Sequence, residues 1–411
     1  MARRASLGAI FLTIFLDLLG FGFVLPFLAE EARDTFHTTA FVGTLLSAVY
    51  SLAQFLFSPV WGRLSDRIGR RQVLIWSVAA TAASNAGLGL ALAYGGSVLW
   101  LFVARVFAGV ATANLAVASA YIADVTTKAD RAKGMGMIGM AFGLGFILGP
   151  GIGGVLAETP INGRHGPLAC FAAAALSVIN VGWVLLGLPE SLPPERRAQT
   201  PARRLSPLDL VTAGRVLADP SMLRVVLANF LGVLSFSGME QTFRYFNKDE
   251  FGMSLRASGG LLAFIGVMAA IVQGGLVRRL SGKVDDGVLV RWGLGLQALG
   301  FVALAVSKEV WMLYGAGVLL AFGNGLALPG ISAYVSKRAS ESEQGGALGV
   351  NQSASSLGRV FGPALGGLIY GAVTHAAPYW FSAAGTGVAF LIALGLAAVH
   401  APAQSTSTQT S

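Results

Sequence analysis

Several charged side chains lie inside long apolar runs: Asp17, Arg105, Glu240, Arg244 and Arg359. An ion at bilayer depth costs roughly 2.5–3.5 kcal/mol on insertion scales, so such residues mark functional positions. A carboxylate there is costly when charged and much less so when protonated, so it can exchange a proton as its surroundings alternate between water and protein. Asp17, about midway along its run and flanked by Gly20, Gly22 and Pro26, is the first candidate for a proton carrier, and Glu240 the second. Arg105 would tune the charge around them. Glu240 and Arg244 share one helix face at i,i+4, so they either pair with each other near the outer surface or act separately. Arg359, just before Gly362-Pro363, suits packing or snorkelling, with substrate contact as the other reading. Gln54, Asn324, Asn351 and Gln352 are polar positions suited to lining a cavity between helices.

Other chemistries find no support. Cys170 is alone, so no intrachain disulfide forms. His37, His165, His375 and His400 are far apart, and no pair has zinc-ligand spacing. No phosphate-binding Walker sequence occurs, and no nucleophile–base pair stands out, so neither an enzyme nor a cofactor is expected. Gly134-Met135-Gly136-Met137-Ile138-Gly139 fits a dinucleotide pattern, but no strand precedes it. Asn351-Gln352-Ser353 fits a glycosylation acceptor, but falls inside an apolar run.

These residues need elements to carry them. Charged residues make up 12% of the 411 and hydrophobic residues 54%, where soluble chains carry about 25% charge. Mean hydropathy is +0.67. Apolar runs long enough to cross a bilayer as helices recur along the chain. We place twelve spans near 6–29, 39–62, 73–95, 98–122, 133–157, 167–188, 221–246, 256–279, 288–307, 309–334, 346–372 and 377–399. The first is too long for a signal-peptide core and lacks a small-residue cleavage site, so it is expected to be retained.

If the N-terminus is cytoplasmic, the inside segments hold 20 Lys and Arg residues and the outside loops 5. That bias puts both termini inside. The net charge of +9 is spread over these short loops, so topology explains it and no nucleic-acid partner is expected. The expected organisation is a six-helix bundle over 1–190, a Pro- and Arg-rich cytoplasmic linker over 191–219, a second bundle over 220–400 and a cytoplasmic tail over 401–411. The halves repeat at an offset of 213: Gly62 with Gly275, Gly69 with Gly282, Ser119-Ala120-Tyr121 with Ser332-Ala333-Tyr334, and Gly149-Pro150 and Gly153-Gly154 with Gly362-Pro363 and Gly366-Gly367. Six helices per repeat give parallel halves related by an axis along the membrane normal.

Two motifs carry a resemblance. The loop after the second span reads Gly62-Arg63-Leu64-Ser65-Asp66-Arg67-Ile68-Gly69-Arg70-Arg71. Its glycines allow a tight reversal, and Asp66 suits a helix N-terminus or a neighbouring guanidinium. The fifth span carries Gly145-x3-Gly149-Pro150-x2-Gly153-Gly154, where the proline bends the helix and the glycines admit another backbone. The first resembles the signature loop of the major facilitator superfamily, and the second the antiporter motif of its drug-exporting branch. The resemblance implies an all-α membrane fold of two pseudo-symmetric six-helix bundles. It also implies that Gly62, Asp66, Gly69, Arg70 and Arg71 form a cytoplasmic latch between the halves.

Residues 12–157 are most similar to the bacterial tetracycline exporters, through Tyr50-Ser51-Leu52-Ala53-Gln54-Phe55 and Ala120-Tyr121-Ile122-Ala123-Asp124; the second half resembles them weakly. Their acid in the third helix falls near Ser84 and Asn85 here, their eighth-helix histidine near Ala269 and their ninth-helix acid near Gln297. The resemblance therefore implies export of small lipophilic or amphipathic compounds, with metal-chelated tetracycline an unexpected substrate. The proton gradient would supply the energy and the lipid bilayer the surroundings. The protein is expected to be a monomer in a bacterial inner membrane. A metabolite or sugar transporter of the same fold is the nearest alternative. A transport-inactive sensor or scaffold is another, against which Asp17 argues.

Overall fold

The computed structural model describes residues 7–25, 27–126, 131–192, 210–280, 283–339 and 344–396. Arg3, Arg4, Pro26, Lys128, Gly282, the arginines of 196–204 and the 401–411 tail lie outside the described residues.

The first half runs through α1 (Leu7–Val24), α2 (Leu28–Phe36), α3 (Ala40–Ile68), α4 (Arg70–Tyr94), α5 (Val98–Ala111), α6 (Leu115–Val125), α7 (Arg131–Glu158) and α8 (Pro167–Gly187). A short α9 (Leu210–Ala218) precedes the second half. That half comprises α10 (Pro220–Phe251), α11 (Leu255–Leu280), α12 (Asp286–Ala305), α13 (Val310–Arg338), α14 (Gln344–Ala372) and α15 (Ala377–Leu394). Helix satisfies every backbone group internally, which hydrocarbon surroundings demand. Ten helical segments among the described residues are long and apolar enough to cross a membrane. The 28-residue α7 and 29-residue α14 sit at the fifth and eleventh places.

Local signals set the ends. Thr39, Ser97, Ser254, Asp219 and Asp285 cap helix N-termini with their side chains, each satisfying an orphan N–H. Pro167 and Pro220 open α8 and α10, where their missing N–H costs nothing. Gly69, at φ 108°, makes the reversal between α3 and α4, a conformation that excludes most side chains. Three boundaries differ from the sequence expectation: α3 continues to Ile68, so residues 62–68, expected as a loop, are helical and Gly69 alone makes the turn. The first span ends at Val24 and a separate helix, α2, follows it; the fourth is broken into α5 and α6.

Within the halves α1 packs on α7 and α8, and α10 on α14 and α15. Between the halves α3 packs on α14 and α7 on α11. The glycines of the antiporter motif explain these crossings. A Cβ on Gly149 would lie 2.6 Å from the Gly22 Cα, and one on Gly153 would lie 2.3 Å from the Phe23 carbonyl oxygen. Gly145 likewise faces Leu18, whereas Gly154 turns to α11 and faces Leu255 and Gly259. The repeat mates do the same. Gly358, Gly362 and Gly366 face α10 at Leu234, Ser237 and Gly238, and Gly367 faces Thr44 on α3. The offset in sequence is therefore a symmetry in space: three glycines close each half internally, and a fourth closes it against the other.

Candidate functional site

The fourth span is interrupted at Thr112-Ala113-Asn114 between α5 and α6. A break inside a bundle leaves carbonyls without helical donors, and these must be paired. Trp61 Nε1 donates to Val110 O at 2.6 Å. Ser77 Oγ donates to Ala111 O at 2.7 Å, and Gln54 Nε2 to Thr112 O at 3.2 Å. Side chains from α3 and α4 thus hold the break open.

The break brings polar groups to Asp17. Asn114 Nδ2 donates to Ser77 Oγ at 2.6 Å and to Asp17 Oδ2 at 3.3 Å. Asp17 Oδ1 is buried without a hydrogen-bond partner among the described residues. Next to α1, Asn180 Nδ2 donates to Thr13 O at 2.9 Å and Trp183 Nε1 to Ala9 O at 3.1 Å. These bonds fix the helix one and two turns before the acid. Tyr50 Oη is hydrogen-bonded to Thr112 Oγ1 at 2.7 Å, and its ring stacks on Phe21 at 5.3 Å. The Arg105 guanidinium lies 4.2 Å from the Tyr50 ring centroid, a cation–π contact strengthened by exclusion of water. Arg105 is 4% exposed and its Nε has no hydrogen-bond partner among the described residues.

The second half faces this cluster with Glu240 on α10 and Arg359 on α14. Arg359 feels the charge of Glu240 and lies within electrostatic reach of Tyr50. Arg244 does not close an i,i+4 pair with Glu240; its guanidinium binds Glu30 from the other half. Asn351 is buried and accepts from Asn229 Nδ2 at 2.9 Å, so its amide lies in α10–α14 packing. Gln54 engages the helix break, as above. Asn324 borders a crevice of about 10 Å³ with Asn229 and Gln297, roughly the room for one water molecule. Gln352 is exposed.

The latch residues lie at the face of the molecule that carries the basic loops. Asp66 pairs with Arg70 at 2.5 Å, the neighbouring-guanidinium option. Arg70 also binds Asp124 at 3.2 Å and Ser65 Oγ at 2.6 Å. Glu190 receives the backbone N–H groups of Arg70 and Arg71 at 2.9 and 3.3 Å, placing a carboxylate at the N-terminus of α4 where the helix dipole favours it. Arg71 reaches the carbonyls of Val184 and Leu185. These bonds all join parts of the first half, so in this conformation the motif ties α3, α4, α6 and the end of α8 together.

At the opposite face the halves are clamped to each other. Arg244 Nε and Nη2 donate to the two oxygens of Glu30 at 2.6 and 2.9 Å, and both residues are buried. Arg33 forms a second bidentate pair with Asp249 at 2.6 and 2.9 Å, and Tyr370 Oη donates to the same carboxylate. Lys248 bridges Glu30 and Asp34. Tyr245 Oη donates to Ala29 O, Arg256 N to Glu158 at 2.8 Å, and Ser47 Oγ to Gln241 at 2.6 Å.

Asp17, Arg105 and Glu240 were marked from sequence, and Asp17 and Arg105 converge on the Asn114–Tyr50 cluster. Asn114, Tyr50, Thr112 and Ser77 were missed as site residues; the signal was a polar Thr-x-Asn inside an apolar run. The clamp was missed as well. Among the described residues no group of three or more His, Cys, Asp or Glu side chains is placed to hold a metal.

Paired six-helix bundles, glycine-mediated crossings between them and charged groups held at their centre define a multi-pass membrane transporter. The chain belongs to the Major Facilitator Superfamily, whose family model matches residues 10–307 and 287–411. It is 33% identical over 410 residues to the class C tetracycline resistance protein of Escherichia coli, covering 98% of this chain and 97% of that one. The likeness thus extends through the second half as well as the first. Multidrug resistance protein 2 of Bacillus subtilis is 28% identical over 94% of this chain and 92% of its own. The crystal structure of the human organic anion transporter MFSD10 matches with a TM-score of 0.73 at 26% identity, over 95% of this chain and 99% of that one.

Proposed function

We propose that the protein is a proton-coupled exporter of small lipophilic or amphipathic compounds, working by alternating access as a monomer in a bacterial inner membrane. The basic face is cytoplasmic, as the loop charges favour. The observation that carries the reading is Asp17, an acid within a spanning helix whose Oδ1 is buried without a hydrogen-bond partner among the described residues. Arg105 and Arg359 act on Tyr50, which also feels Asp17, and Glu240 acts on Arg359 within the second half. A lipophilic cation would favour the charged acid, so cation and proton would compete. The resistance proteins among its relatives support export. The closed opposite face and the bonds of Asp66 within its own half suit a state that loads from the cytoplasm.

Purified protein in proteoliposomes tests this directly. With ethidium, tetraphenylphosphonium and neutral dyes as probes, an imposed pH gradient should drive exchange, and Asp17→Asn should abolish the drive. Exchange by Asp17→Asn with an undiminished response to the gradient would defeat the reading. A second reading, exchange of organic anions, is favoured by the two central guanidiniums. An anionic dye in the same assay separates the two.

A further inference from the structure

A proton carrier must be held so that one oxygen can take the proton while the other reports the change. The bonds around Asp17 have that asymmetry. Ala111 O can only accept, so the Ser77 hydroxyl hydrogen is committed to it at 2.7 Å. Ser77 Oγ is then an acceptor, which fixes the Asn114 amide with its NH2 group towards Ser77 at 2.6 Å. The remaining amide hydrogen points to Asp17 Oδ2 at 3.3 Å. Asn114 is 8% exposed, so this amide has little water to turn to. Asp17 Oδ1 stays without a partner among the described residues.

We propose that Asn114 is the positioning residue of Asp17: it holds Oδ2, leaves Oδ1 to the proton, and ties the charge of the acid to the break in the fourth span. The proposal rests on Asp17 being the proton carrier. An amide hydrogen bonds a carboxylate more strongly than a neutral acid, so Asn114 favours the charged form and loosens its hold when the proton arrives. The same break carries Thr112, which bonds Tyr50 on α3. A change at Asp17 is thereby passed to a helix that packs on the second half.

Other groups near Asp17 do not duplicate the role. Tyr50 on α3 lies within electrostatic reach of both Asp17 and Arg105, and of Arg359 from α14. Arg105 on α5 lies over the Tyr50 ring. The surfaces that α7 and α8 turn to α1 near the acid are built from Gly145, Gly149, Ala173 and Leu176.

The test needs no substrate. Infrared difference spectra of the full chain in liposomes, titrated with pH, report the carbonyl band of a protonated carboxyl group. The band assigned to Asp17 is the one lost in Asp17→Asn. In Asn114→Ala its midpoint should move about one pH unit towards alkaline, the effect of one charge-assisted hydrogen bond. Asn114→Ser, which keeps a short donor, should move it back. Ser77→Ala, which frees the amide without removing it, should shift it the same way by less. It also stands in should Asn114→Ala not fold. An unmoved midpoint in folded Asn114→Ala, or in folded Ser77→Ala where Asn114→Ala does not fold, overturns the positioning role while leaving Asp17 as carrier. If no band is lost in Asp17→Asn, the carrier assignment itself fails, and this inference with it.

Discussion

Arg244 grips both oxygens of Glu30, 214 residues away in the chain and on the other half of the molecule. The separation is close to the repeat offset because α2 and the end of α10 are near symmetry mates, meeting across the axis between the halves. Arg244 also donates to Met253 O and Ser258 Oγ on its own side, so the guanidinium is pre-set by the second half and the acid is brought by the first. For the opposite face to open, this pair must come apart.

Removing Arg244 leaves buried Glu30 with only the part-exposed Lys248 as its ion-pair partner, so the cost should stay below the roughly 3–5 kcal/mol of a fully unpaired buried charge. Arg244→Ala should therefore lower the thermal stability of the closed form and expose the cleft beneath it. In a Cys170→Ser background, Ser47→Cys should react faster with an impermeant maleimide once Arg244→Ala is added. Replacing both partners, as in Glu30→Gln with Arg244→Met, should recover much of the stability, since no lone charge remains. Unchanged labelling of Ser47→Cys in Arg244→Ala would show that the clamp does not govern this face.

Asp66 carries the latch prediction. Its pair with Arg70 is part-exposed, and such pairs contribute roughly 0–1 kcal/mol. Asp66→Asn should leave expression, thermal stability and binding of a fluorescent probe nearly intact, yet slow transport, because it acts on conformational exchange. Equal losses in binding and transport would place Asp66 in the substrate path.

Asp219 gives a pH dependence. Burial raises its proton affinity, but hydrogen bonds from Arg338 and from the backbone of Ser221 and Met222 outweigh burial and hold the carboxyl below the usual carboxylate range. A carboxyl held low in the folded state stabilises above its unfolded value and loses that contribution as pH falls through its folded value. The melting temperature should fall on the acid side below about pH 4, and the fall should be shallower in Asp219→Asn. Asn keeps the helix cap, so the difference isolates the Arg338 pair.

The architecture was legible because its determinants are local or periodic. Apolar runs must be helices in lipid, and the repeated glycines of α7 and α14 must be small because a neighbouring helix lies against each of them. The centre was legible only in part. Asp17 and Arg105 stand out as charges in apolar runs, but Asn114 is an ordinary polar residue until the break in the fourth span turns its amide towards Asp17. The clamp was hidden for another reason. Neighbour rules pair Arg244 with Glu240 one turn away, whereas packing of the halves offers it Glu30, a carboxylate already aimed by α2. That helix was itself unforeseen, because its charges make it read as a loop.

Gly149 and its mate Gly362 test the symmetry. A Cβ at Gly149 would meet the Gly22 Cα at 2.6 Å, and one at Gly362 the Leu234 carbonyl oxygen at 2.4 Å. Neither neighbour is a flexible side-chain end. Either alanine substitution should cost about 1–3 kcal/mol through overpacking and reduce the yield of folded protein. Gly143→Ala, on the same helix as Gly149 with open space around it, should be neutral or slightly stabilising, since alanine favours helix by about 1 kcal/mol over glycine. Thermal melts of the three variants would check this; equal melting temperatures would mean the crossings are looser than drawn.

Glu240 and Asp17 are the two acids that can carry the coupling, and their surroundings predict different losses. Among the described residues Asp17 has an amide on one oxygen, none on the other and no cation within ion-pair distance. Glu240 faces Arg359, whose charge it offsets across the centre. Neutralising Asp17 removes a proton site and leaves the net positive charge near Tyr50 unchanged whenever the acid was protonated. Neutralising Glu240 removes a negative charge that acts through space on Arg359, a loss that should stay below the roughly 3 kcal/mol of a bare arginine at bilayer depth. Glu240→Gln should therefore lower the melting temperature and weaken binding of a cationic probe, yet retain a response to the pH gradient in whatever transport survives. Adding Arg359→Gln should restore the stability, because the unpaired charge is gone. Asp17→Asn should do the reverse, keeping stability and losing the gradient response. If Glu240→Gln loses the gradient response at normal stability while Asp17→Asn keeps it, the proton travels through the second half and the order of the two acids is inverted.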